Sequence, residues 1–147
     1  MRPEGAQLAL AMPCRPSSQQ RALSLAGQPV TMRLYVCRVY DTTFALSHSD
    51  VADPARVGTA LRALGDAARG NLNGRVERDE AAAVPGMTPH DAARHWRLVG
   101  QLPDGRPVTS SVTVFAFGTR VYQASVVGTT LDEGLTAHFE HALAVRP

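Results

Sequence analysis

The chain has 147 residues, 44% of them hydrophobic, and a formal net charge of +2. That suits one folded domain over 1–147 and excludes a disordered chain, and a charge so near balance argues against a nucleic-acid binder, which needs a concentrated positive surface. All 15 basic side chains are arginine, which excludes lysine Schiff-base chemistry and the lysine of a Walker-type phosphate loop.

Residues 1–6 read as a loose start. Leu8, Leu10 and Met12 alternate with Gln7, Ala9 and Ala11, which predicts a first strand facing a core, closed by Pro13 and Pro16. This stretch is too short for the apolar part of a signal peptide. No run approaches about 18 apolar residues, so no transmembrane segment is expected. A second strand is expected over about residues 20–25. Gly27-Gln28-Pro29 then turns into the strongest N-terminal strand, residues 31–40, with Met32, Leu34 and Val36 on one face and Tyr35, Cys37 and Val39 on the other. Asp41-Thr42 leads to a fourth strand bearing Phe44 and Leu46. The four read as a meander, each strand beside the previous one.

Asp53-Pro54 marks a helix start, Asp at the N-cap and Pro at the first helical position. Val57, Leu61, Leu64, Ala68 and Leu72 recur at helical spacing. Residues 71–74 supply the stop, with Gly74 as a left-handed cap. A short strand is expected over about residues 75–80, then a loop over 83–90 holding Pro85, Gly86 and Pro89. Residues 95–128 read as three antiparallel strands turning at Asp104-Gly105 and Gly118-Thr119. In the middle one Val112 and Val114 face away from Phe115 and Phe117, so a central strand covered on both faces is expected. Thr130 and Glu133 have capping-box spacing for a final helix with Leu131, Leu135, Phe139, Ala142 and Leu143 on one side. The order meander, helix, meander, helix predicts an α+β domain: an antiparallel sheet of about six to seven strands covered by helices.

Cys14 and Cys37 lack metal-ligand spacing. They belong to the first and third expected strands, and bridging across a whole strand exceeds the roughly 7 Å limit on Cα separation. A disulfide needs both near a strand end. A bridge, which would point to an oxidising compartment, and two ordinary thiols both remain open.

The histidines are His48, His90, His95, His138 and His141. His90, Asp91 and His95 suggest a metal site by proximity, but no HExxH-type pattern supports one; loop and strand-edge histidines are the plainer reading. His138 and His141, one turn apart near the end of the final helix, complement its dipole. Ser110, Ser111 and Ser125 raise the question of a hydrolase, yet there is no GxSxG elbow, and mid-strand serines read as solvent-facing filler. Glu77, Asp79 and Glu80 offer carboxylates for acid–base work, or a charged strand edge that prevents edge pairing. Arg56, Arg62 and Arg69 lie with Asp66 on the outer side of the first helix. As a basic stripe they suit an acidic protein partner; otherwise they are a solvated face. Trp96 and Tyr122 suit core or rim packing.

Several pieces together resemble the PsbP-like superfamily. They are an opening strand ending in Met12-Pro13, a strand over 35–40 closing on Asp41, and a helix over 55–71 ending in a Gly-containing turn. The Arg-Val-Tyr-Gln run at 120–123 and a terminal helix with Phe139-Glu140 complete the set. That superfamily includes the photosystem II extrinsic protein PsbP and the Ran-binding protein Mog. The resemblance implies an α/β/α sandwich and a non-catalytic binding or accessory role with a protein partner, without catalytic residues, cofactor or metal. It also suggests the cell envelope or periplasm, whereas the lack of a recognisable export signal makes the cytoplasm the default. The alternatives are a small-ligand or metal-binding module, using the place where the loop over 84–91 meets the sheet, and an unrecognised hydrolase.

Overall fold

The computed structural model describes residues 7–72 and 75–146. Among them the strands are β1 (Leu8–Ala9), β2 (Ser17–Leu25), β3 (Gln28–Val39), β4 (Thr42–Asp50), β5 (Arg75–Ala81), β6 (Arg94–Gln101), β7 (Pro107–Phe117), β8 (Arg120–Gly128) and β9 (Ala144–Val145). The helices are α1 (Val57–Asn71) and α2 (Glu133–His141). β2 to β8 form one seven-stranded antiparallel sheet in the order β2-β3-β4-β8-β7-β6-β5. Two meanders therefore meet where β8 returns beside β4, pairing Leu46 with Ala124.

The sheet's two faces follow from strand alternation. One buries Val112, Val114, Ala116 and Val121 beneath α1, whose Val57, Leu61 and Leu64 are buried. The start of α1 is as expected: the Asp53 carboxylate accepts from the Ala55 N–H, and Pro54 opens a single 3₁₀ turn that runs into the helix. The Gly74 cap lies outside the described residues. Gly65 lets α1 sit directly on Trp96 of β6; a Cβ there would lie 2.4 Å from the indole ring. The other face buries Tyr35, Phe44, Leu46, Phe115, Tyr122 and Val126. Phe139 of α2 meets Phe44 edge-on there, with ring centroids 5.5 Å apart.

The helix-covered α/β/α sandwich is not what forms. Of the described residues 50% are strand and 20% helix, and a small two-stranded sheet of β1 and β9 accompanies the large one. The helices are too short to roof seven strands. α2 has nine residues, and much of its face is closed instead by Leu8 and Leu10, by Val84 of the following loop, and by Leu143 and Val145. The edge strand β5 is exposed throughout, and β2 nearly so.

Three local expectations also change. The first strand does not join the meander; Leu8 pairs with Val145 instead. The cap of α2 is Asp132, whose carboxylate accepts from the Leu135 N–H, rather than Thr130. Leu135 is exposed, so the apolar side of α2 is narrower than its spacing suggested.

Cys14 and Cys37 are bridged, with Cα atoms 5.8 Å apart. The β2–β3 turn is Ala26-Gly27, both at positive φ, so Leu25 pairs with Gln28 and Ser17 with Val36. That is about three residues from the register expected of a Gly-Gln-Pro turn. Cys14 thus arrives just beyond the start of β2, where Cys37 lies within reach.

Candidate functional site

Two groups of polar side chains sit on the α2 face. The first is a cluster around His95. Glu80 of β5 pairs directly with His95 of β6, Ser111 of β7 lies diagonally across on the same face, and α2 delivers Glu140. His95 Nδ1 is 3.1 Å from Glu80 Oε1, and His95 Nε2 is 2.8 Å from Glu140 Oε2. The Ser111 hydroxyl donates to that same Glu140 oxygen at 2.7 Å and stands 2.9 Å from His95 Nε2. A hollow of about 190 Å³ adjoins the cluster, bordered by Val84, Thr113 and Leu143.

The order serine, imidazole, carboxylate has the outline of a hydrolytic triad, but the protons sit wrongly for one. Both imidazole nitrogens face carboxylates. The hydrogen bond to Glu140 raises the His95 pKa above its ordinary value, against the lowering effect of burial. Burial pushes the Glu140 carboxyl up, but the hydrogen bonds from His95 and Ser111 outweigh it and hold it below its ordinary value. The Ser111 proton already goes to Glu140, and when His95 is protonated it donates to both acids and has no lone pair to take that proton. Ser111 itself is 1% exposed. Ser110 is equally buried, on the opposite face, so neither serine is solvent-facing filler.

The second group lines an open depression of about 560 Å³ on the same face, over β2, β3, β4 and β8. Register places its parts: Arg33 of β3 opposite His48 of β4, His48 opposite Tyr122, and Asp50 opposite Arg120 of β8. The His48 ring lies between those of Tyr35 and Tyr122, each centroid 6.1 Å away. His48 is 3% exposed, and its Nε2 has no hydrogen-bond partner. Arg120 Nε is likewise buried and unpartnered. Burial and the nearby Arg120 and Arg33 charges drive the His48 pKa down to about 4, so the ring is neutral at pH 7. Asp50 accepts from the Thr119 hydroxyl and the Ala52 N–H and lies 3.9 Å from Arg120. Arg33 has no ion pair among the described residues.

The remaining candidates are scattered. His90 accepts from the Ala92 N–H through Nδ1 and packs on Gly58 of α1. It is therefore on the opposite side of the sheet from His95, which meets α2. Among the described residues no group of three or more His, Cys, Asp or Glu side chains is placed to hold a metal ion. Arg69 pairs with Asp66 and stacks over Trp96, 5.0 Å from the ring centroid. Arg62 is exposed, and Arg56 borders a hollow with Leu25, Val51 and Ala60. Glu77, Asp79 and Glu80 do lie on an edge strand, at whose bulge pairing skips Glu77; Asp79 pairs with Arg94. Trp96 and Tyr122 are buried core residues.

No helix of the described residues is long and apolar enough to cross a membrane. No protein-family model and no curated protein matches the chain.

Proposed function

We propose that this chain is a non-catalytic binding domain of an oxidising compartment, with the depression over β2, β3, β4 and β8 as its ligand seat. The observation that carries it is the contrast between the two polar groups. The His95 cluster satisfies its own donors and acceptors, which is how buried polar groups stabilise a fold. The depression holds two of the four buried side-chain atoms without partners among the described residues, His48 Nε2 and Arg120 Nε, and here the two stand together at an open hollow; the others are Arg97 Nε and Thr136 Oγ1. An unsatisfied buried donor costs about 1–3 kcal/mol, and a ligand that accepts from it recovers that loss. The disulfide supports the compartment, because thiols stay reduced in an ordinary cytosol; the resemblance to exported accessory domains points the same way.

A panel of carboxylic and phosphate esters, assayed with wild-type and Ser111→Ala protein, tests the non-catalytic part. Any turnover should be at background and equal in both proteins. A rate that falls at least tenfold in Ser111→Ala makes the His95 cluster an active site and overturns the reading.

A protein partner on α1 is the second reading, and the exposure of Arg62 favours it. The stripe is weaker than its spacing suggests, because Arg69 is engaged by Asp66 and Trp96.

A further inference from the structure

Resting on that binding reading, the geometry points to the ligand class: the depression takes a tetrahedral oxyanion, a phosphate or phosphate monoester, held between Arg33 and Arg120 with His48 Nε2 donating from the floor. Arg33 and Arg120 stand two strands apart and are offset by about one residue pair along the same face. With strands about 4.8 Å apart and a two-residue step of roughly 6.8 Å, their Cα atoms lie about 12 Å apart. Two extended arginine side chains are long enough to span that gap above His48, whose strand β4 lies between theirs. Guanidinium forks match phosphate oxygens, and the three donors approach from different directions. That suits a tetrahedral anion better than a flat carboxylate. Lining residues Ala22, Pro29 and Val30 give an apolar rim for the organic part of an ester.

Among the described residues Asp50 is the one acid lining the seat. Its carboxylate already accepts from Thr119 and Ala52 and only partly offsets Arg120. The groups facing His48 are Arg33 and Tyr35 from β3, Tyr122 and Arg120 from β8, and Asp50 on its own strand. In the empty seat burial, helped by the two arginine charges, keeps the imidazole neutral; an anion between the arginines removes their part of that penalty. Binding therefore takes up a proton on His48 at mildly acid pH. Full return of the imidazole to its ordinary value of about 6.5 would raise affinity about twentyfold from pH 7 to pH 5, and that is the upper bound because burial persists in the complex.

The test is calorimetric titration of wild-type, Arg33→Gln, Arg120→Gln and His48→Phe proteins with sulfate, phosphate and glycerol phosphate at constant ionic strength. Sulfate stays a dianion from pH 5 to pH 7, so its pH dependence belongs to the protein. The expected result is saturable binding, at least tenfold weaker in each arginine variant. Sulfate affinity should climb towards pH 5 in wild-type and stay flat in His48→Phe. Vesicles of phosphatidylglycerol in phosphatidylcholine separate the sources: Arg33-dependent vesicle binding without binding of glycerol phosphate identifies a lipid headgroup, and the converse a soluble ester. Equal sulfate affinity in all four proteins, or no saturable binding, overturns the inference. A neutral or cationic ligand that protects the seat would overturn the anion while leaving the binding domain standing. Turnover of p-nitrophenyl phosphate lost in Ser111→Ala would overturn the binding-only reading.

Discussion

Cys14→Ser is the substitution that weighs the bridge most cleanly. Cys14 is only partly buried, and Cys37, 2% exposed, remains as a small apolar thiol that suits its site. The cysteines are 23 positions apart. A closed loop of that size removes unfolded-state entropy equivalent to about 3.4 kcal/mol at 25 °C. Unfolding entropy near 2.1 cal/mol/K per residue gives about 0.3 kcal/mol/K for a chain of 147 residues. The midpoint should therefore fall by about 11 °C. The assay is a circular-dichroism melt of wild-type and Cys14→Ser proteins with and without reductant. Reduced wild-type should melt with Cys14→Ser, and reductant should not move the variant. If oxidised and reduced wild-type melt within about 2 °C of each other, the bridge does not constrain the unfolded chain and the loop-closure reasoning is refuted.

Gly65→Ala should destabilise although alanine is the better helix former. Propensity favours alanine by about 1 kcal/mol, whereas forcing a methyl into the Trp96 ring costs roughly 1–3 kcal/mol. A net loss of about 1 kcal/mol with a shifted Trp96 emission is expected, and a raised midpoint would show that α1 can lift off the ring without penalty. The ligand-free protein should also weaken in acid. The His48 pKa is about 4 when folded and about 6.5 when unfolded, so the unfolded chain takes up the proton first as pH falls. Stability contributed by neutral His48 is complete above about pH 6.5 and diminished by about 2 kcal/mol at pH 5. His95 works in the opposite sense: its pKa is raised, so its contribution is full below about 6.5 and lost as pH rises through the folded value. Urea unfolding of His48→Phe should therefore lose the acid decline and become more stable at pH 5 than at pH 8; a wild-type-like profile would exonerate His48.

Much of the element order could be read from spacing alone, because the signals were local. Asp53-Pro54, the helical recurrence from Val57 to Leu72, and the turns at Asp104-Gly105 and Gly118-Thr119 each act within a few residues. Layering was not local. Whether a helix roofs a sheet depends on how many strands lie beneath it, and nine residues of α2 cannot cover seven strands. The pairing of β1 with β9 joins Leu8 to Val145 across nearly the whole chain, and no short-range pattern reports it. The disulfide shows how one turn propagates. Placing the β2–β3 turn at Ala26-Gly27 carries Cys37 from the middle of the neighbouring strand to its end.

The polar sites were half legible for the same reason. The hairpin turn at Asp104-Gly105 sets the β6–β7 register and with it the His95–Ser111 diagonal, so this pair could have been found from sequence. Glu140, 45 residues from His95, could not. Its carboxylate is what converts an apparent serine–histidine pair into a self-satisfied ionic knot. For the depression, the missing fact was that β8 returns beside β4. Only that places Arg120 on the face of His48 and Arg33, residues 72 and 87 positions away from it by number. Once the strands are in place, alternation leaves no choice: Arg33, His48 and Arg120 share one face, at the end that α2 does not reach. Two arginines beside a neutral, unpartnered His48, with Asp50 only partly offsetting Arg120, raise the free energy of the empty protein. That is the signature expected of a site whose stability is completed by what it binds.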